Sequence, residues 1–238
     1  MIANPPHEAP PISADFAQII RRREHIRWQH LTESQREEAI QQRLSLAGVP
    51  KRFLTTSFAG FHPTKRPGLD PVAYQVTHQW AQTGHYEGKS GLLLLGPPGN
   101  GKTSLAVCAL RHRLEATPNA LQALYWNVPR GLIAQQVDFS KESKDRQATT
   151  VVDLCRYPFL ILDDLGKHQM GDWVQQQFYA LLDELWSQEK AVIITSNRPK
   201  HAFLQMDPAS ISRILGLCHL VDVQGPDHRV TRTSAATR

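Results

Sequence analysis

The sequence predicts an α/β fold, a parallel sheet flanked by helices, preceded by a short helical arm. Three observations carry this expectation. From about residue 50 onward, short apolar runs alternate with segments of helical periodicity, the texture of a parallel sheet covered by helices. One run, Gly91 to Leu95, leads into "GPPGNGKT", which fits G-x-x-x-x-G-K-[ST] from Gly96 to Thr103, and then into the helical "TSLAVCALRHRL". Two later runs, "FLILDDLG" and "AVIITSN", end on polar residues, as strands do when an open sheet presents side chains at its carboxyl edge.

The elements follow in order. Four prolines in the first eleven residues favour an extended tail. "ADFAQIIRRREHIRW" sets Phe16, Ile19, Ile20 and Ile26 near a 3.6-residue period, and "LTESQREEAIQQRLSLAG" opens with a capping-box spacing at Thr32 and Gln35 and closes on Gly48. Both helices are charged on most faces and hold too few apolar positions for a core of their own, so this section is expected to pack on something else, with a partner protein as the candidate. A boundary near residue 50 divides residues 1–50, a Pro-rich tail and helical arm, from residues 51–238. Asp70 and Pro71 supply an N-cap and first-turn proline for a helix through Val72, Val76 and Trp80. Strands are expected at Gly91 to Leu95, Ala123 to Val128, Phe159 to Leu162 and Ala191 to Thr195. Between the last two, "GDWVQQQFYALLDELW" places Val174, Phe178, Leu181, Leu182 and Leu185 on one helical face.

Composition bounds the partners. With 238 residues, 41% of them apolar, the chain can bury one sizeable core. Its 27 Lys and Arg against 22 Asp and Glu lean towards acidic partners, nucleotides or nucleic acid, without choosing between them. Cys108, Cys155 and Cys218 are far apart and form no CxxC pair, which fits a reducing compartment rather than a disulfide framework or zinc ribbon. The start "MIANPPHEAPP" has no apolar signal region, and no run approaches the roughly 18 residues of a membrane span. A soluble cytoplasmic protein, with no membrane partner, is expected.

The motifs point to a nucleotide site. In the loop from Gly96 through Pro97, Pro98, Gly99, Asn100 and Gly101, the glycines allow backbone angles and close approach that side chains would block. Consecutive N–H groups can then converge on phosphates at the positive end of the helix that starts with Lys102, Thr103 and Ser104. Lys102 neutralises the outer phosphates, and the Thr103 hydroxyl is offered to Mg²⁺. About sixty residues on, "FLILDDLG" ends a strand in two acids: Asp163 is read as the Mg²⁺-associated carboxylate and Asp164 as the base or orienter of water. Asn197 ends the next strand with a side chain suited to hold water or a γ-phosphate, although "SNRP" would also make a good turn. Arg213, on the helical "ASISRILGL", and Arg229, after the turn "GPDH", are candidates to stabilise a transferring phosphoryl group; each could instead serve as a surface arginine.

In the order "GPPGNGKT", "FLILDDLG", "IITSNRP", "SISRI" and "GPDHR", the chain resembles the AAA+ ATPases, and within them the DnaC-type helicase loaders and IstB-type transposition helper ATPases. "AGVPKRFLTTSFAGF" is similar to the segment that leads into the ATPase domain of the loaders, and the likeness covers about residues 45 to 232. The resemblance implies the P-loop NTPase fold of the AAA+ class and ATP hydrolysis with Mg²⁺. It makes Asn197 sensor 1, Arg213 a finger acting on a neighbouring subunit's ATP, and Arg229 sensor 2. It further implies an ATP-dependent homo-oligomer, head to tail, that touches single-stranded DNA. The partner gripped by the arm would be a replicative DNA helicase, in DNA replication, or alternatively a transposase; an adaptor with little turnover is a third reading. Asp164 departs from the pattern, since many relatives carry Glu there. Lys141, Lys144 and Arg146 are candidate DNA phosphate contacts, equally readable as a solvated helix end and loop; Arg21, Arg22 and Arg23, next to Glu24, read more readily as a wet face.

Overall fold

The computed structural model describes residues 28–117, 122–139, 151–166, 172–204 and 206–228. Five parallel strands make one sheet: β1 (Gly91–Leu95), β2 (Ala123–Asn127), β3 (Phe159–Asp163), β4 (Ala191–Ser196) and β5 (Cys218–Asp222), in the order β2-β3-β4-β1-β5. Four strands stand where the apolar runs placed them. The fifth, "CHLVD", was not anticipated, because His219 and Asp222 break the apolar run at this sheet edge.

Alternation along β1 divides the core in two. Leu92 and Leu94 face helices α1 (Glu33–Leu46), α2 (Pro71–Thr83) and α3 (Lys102–Ala116), together with Trp80, Leu105 and Ile161. Leu93 and Leu95 face the layer built by α6 (Asp172–Ser187), α7 (Lys200–Leu204) and α8 (Pro208–Leu217), where Phe178, Leu181, Leu182 and Leu185 are buried as expected of their helical face. Helices α4 (Val128–Phe139) and α5 (Val151–Leu154) lie between β2 and β3 in the chain. Strand β1 therefore exits into a helix on one face and its neighbour β4 into a helix on the other. Their loops part, and a crevice opens at the carboxyl end of the sheet.

Local capping follows the sequence closely. Thr32 and Gln35 form the reciprocal capping box of α1, with Gln35 Oε1 accepting from the Thr32 amide at 2.9 Å. Asp70 Oδ1 accepts from the Val72 and Ala73 amides at the start of α2. The buried face of that helix is Ala73, Val76, Thr77 and Trp80, whereas Val72 is 62% exposed; the core lies one residue further round the helix than expected.

The partner of the charged helix α1 is the body itself. Ile40 and Leu44 are buried against the α3 side, and Arg43 Nη1 donates to the Leu114 carbonyl at 3.0 Å. Arg111 on α3 pairs with Glu37 on α1 and with Glu115, and the Arg111 hydrogen bond holds the Glu37 carboxyl below its ordinary range. At the C-terminal end of α1 the Ala47 carbonyl accepts from the Tyr125 amide at 2.7 Å, so the chain after α1 covers the outer edge of β2. The expected helix over residues 14–28 lies outside the described residues except for Trp28. Truncating Leu44 to Ala should lower stability by about 2–4 kcal/mol, read as an earlier urea midpoint. An unchanged midpoint would show that α1 leaves the body at no cost.

Candidate functional site

The loop after β1 turns back over the start of α3. Gly101 caps that helix in the left-handed region at φ 102°, and the first turn carries no acid, so its amide end stays electropositive. Gly99, at φ 78°, is needed for a second reason: a Cβ there would fall 1.7 Å from Asp227 Oδ1. The close approach that this glycine permits is to the protein's own C-terminal strap. That strap runs on from β5, with the Val223 amide donating to the Leu95 carbonyl at 2.7 Å and the His228 amide to the Gly99 carbonyl at 3.1 Å. Asn100, fully buried, ties the loop to it by donating from Nδ2 to the Val223 carbonyl at 2.6 Å.

Lys102 is 5% exposed, and three acceptors of its own loop hold the ammonium: the Gly96 carbonyl at 2.8 Å, the Pro97 carbonyl at 2.7 Å and Asn100 Oδ1 at 2.9 Å. A buried ammonium ringed by loop carbonyls is a positive charge placed where a phosphate would meet it. Pro97 and Pro98 form the exposed outer turn, while Gly99 to Ser104 line a cleft of about 1000 Å³.

Three hydroxyls surround Asp163, which is only 6% exposed. Thr103 Oγ1 and Thr195 Oγ1 each donate to Oδ1 at 2.8 Å, and the Tyr125 hydroxyl donates to Oδ2 at 2.5 Å. Thr195 Oγ1 also accepts from the Asp164 amide at 3.0 Å, which links the two acids. Asp164 stands in the left-handed region at φ 68°, and Asn197 Nδ2 donates to its Oδ1 at 2.5 Å. Lys102, Thr103, Asp163, Asp164 and Asn197 thus share one cleft, from two strand ends and one helix start.

The two arginines lie elsewhere. Arg213, on α8, donates from Nε to Asp183 Oδ1 at 2.6 Å on α6, and its guanidinium sits 4.5 Å over the Trp186 ring, away from this chain's cleft. Arg229 lies outside the described residues, as do Lys141, Lys144 and Arg146 and the run Arg21 to Arg23.

Several residues were not foreseen: Tyr125, His228, Arg52 and Arg66 line the cleft, the two arginines each stacked on a phenylalanine, while Thr195 bonds to Asp163 and Asp227 of the strap lies against Gly99. Only the aromatic at Tyr125 and the Thr before "SN" could have hinted at them, and neither signal separates a site residue from a strand residue. Among the described residues no group of three or more His, Cys, Asp or Glu could hold a metal ion. Mg²⁺ needs no such cluster, because one or two protein oxygens, phosphates and water complete its octahedron. The Thr103 and Asp163 pair suits that role.

A five-stranded parallel sheet with helices on both faces, a glycine loop feeding a helix and acids at the end of β3 define a protein of the P-loop class. Within that class the chain belongs to the IstB-like ATP binding protein family, whose profile matches residues 22–236. Among curated relatives, the phage-like element PBSX protein XkdC of Bacillus subtilis (strain 168) is 22% identical over 214 residues, 85% of this chain and 77% of the relative. The insertion sequence IS21 putative ATP-binding protein of Pseudomonas aeruginosa is 27% identical over 162 residues; the match takes in 68% of this chain and 56% of that protein. Among solved structures, the DnaC helicase loader aligns with a TM-score of 0.58 at 21% identity, covering 74% of this chain and all of that one. A DnaI structure aligns at 0.57 and 21%, covering 76% and 94%. These structures share the fold. No helix among the described residues is long and apolar enough to cross a membrane.

Proposed function

We propose that the chain is an ATP-hydrolysing helper of a DNA machine, which binds ATP with Mg²⁺, assembles head to tail on single-stranded DNA and delivers a replicative helicase. The observation that carries the ATPase reading is the convergence of Lys102, Thr103, Asp163, Asp164 and Asn197 on one cleft. The loop amides and Lys102 would bind the triphosphate, and Thr103 and Asp163 would hold the metal. Bound Mg²⁺ would neutralise charge that develops on the phosphate oxygens. Asp164 would orient the attacking water and receive its proton, while Asn197, which now donates to Asp164, can turn its amide to the γ-phosphate. A γ-phosphate competing for that amide would draw it off Asp164 Oδ1.

The cleft supports ATP turnover; the cargo rests on the sequence likeness to the loaders. The IS21 relative favours a second reading, in which the same motor serves a transposase. Phosphate release measured with and without single-stranded DNA tests the motor, and no release in either condition would leave a nucleotide-dependent adaptor. Co-purification of the full chain with a replicative helicase and with a transposase tests the cargo; binding the transposase alone would select the second reading. At the site itself, Asn197→Ala should lower turnover by about a hundredfold while changing ATP affinity far less. The reverse pattern in steady-state kinetics and equilibrium binding would remove Asn197 from the water-positioning role.

A further inference from the structure

A strand residue outside the nucleotide motifs has its one proton committed to the carboxylate of Asp163. The register pairs Tyr125 on β2 with Ile161 on β3, and Asn127 with Asp163. Side chains two apart on a strand share a face, so Tyr125 and Asp163 are diagonal neighbours, a separation that a phenol is long enough to span. It does so: the Tyr125 hydroxyl lies 2.5 Å from Asp163 Oδ2, while Thr103 and Thr195 both bond to Oδ1.

The ring is fixed from both ends. Its backbone amide is tied to the Ala47 carbonyl at 2.7 Å, and its face packs in the core with Ile161, leaving the residue 8% exposed. A carboxylate can turn about its Cβ–Cγ bond and offer either oxygen. With Oδ2 taken by a rigid phenol, Oδ1 is left on the side shared with Thr103.

We propose that Tyr125 is a positioning residue for the metal site, holding Oδ2 of Asp163 so that Oδ1 and the Thr103 hydroxyl together present the protein's share of the Mg²⁺ ligands. This rests on the reading of the cleft as an Mg²⁺–ATP site. Outer partners that orient a ligating carboxylate typically contribute 10- to 100-fold to metal affinity, which sets the expected size.

The test is Tyr125→Phe in the full chain, a change that keeps the ring and removes the oxygen. Binding of a non-hydrolysable ATP analogue is titrated in EDTA and then at rising MgCl₂, beside a thermal melt. The variant should bind the metal-free analogue as the parent does and melt close to it. It should need about tenfold more Mg²⁺ to reach half of its metal-dependent gain in affinity. The same Mg²⁺ midpoint in both proteins would overturn the proposal, as would an equal loss of affinity with and without metal, the mark of a merely structural tyrosine. Should the parent itself gain no affinity from Mg²⁺, the underlying reading falls and this one with it. A parent that responds beside an unaltered variant refutes the role of Tyr125 alone.

Discussion

Lys102→Ala protein will remain folded and will no longer gain thermal stability from ATP and Mg²⁺, whereas the parent will melt higher as nucleotide is added. The ammonium sits 5% exposed at the head of α3, where water screens it little, so its attraction for a triphosphate is far larger than that of a surface lysine. Removing it takes away the one side-chain cation within the loop and leaves the Gly96 carbonyl, the Pro97 carbonyl and Asn100 Oδ1 without that donor. The nucleotide-free protein should lose about 1–3 kcal/mol on that account. ATP affinity should fall by at least about a hundredfold, since contacts of a charged hydrogen-bond donor are worth that much in a shielded site. Equilibrium binding separates the two effects, and affinity within a few-fold of the parent would remove the loop from its assigned role.

The second large effect concerns Arg213. Arg213→Ala should leave ATP binding close to that of the parent and cut hydrolysis by about a thousandfold. Its guanidinium rests on Asp183 and Trp186 of α6, outside the cleft of its own subunit, so a role in catalysis requires a second copy to bring it to an ATP. A contact that joins one face of a subunit to a different face of the next does not close on itself in a dimer; it propagates as a ring or spiral. Mixing Arg213→Ala with Lys102→Ala, each inactive alone, should restore part of the phosphate release, because an intact arginine then meets an intact loop in some interfaces. No recovery at any ratio would count against the shared site.

Much of this architecture is written locally in the chain. Strands β1, β3 and β4 are nearly continuous apolar runs because both faces of an interior parallel strand are covered, and such runs announce themselves. Strand β5 does not, since an edge strand tolerates His219 and Asp222, and only its pairing with β1 makes it a strand. The same division holds at the site. The loop, the acids and Asn197 were legible because each motif stands where a strand ends. Tyr125 was not, as its meeting with Asp163 depends on how β2 and β3 register across 38 residues of sequence. The body-packed position of α1 was half legible. Its scarcity of apolar residues foretold a partner, but Ile40 and Leu44 could not say that the partner was α3.

The turn at Asp164 suits the shorter acid without demanding it. Its backbone angle, φ 68°, is one that aspartate adopts more readily than most residues, and Glu87 and Glu189 adopt a left-handed angle in this chain as well. A glutamate here would carry its carboxylate one methylene beyond the oxygen that Asn197 now meets, while the backbone amide could stay anchored on Thr195.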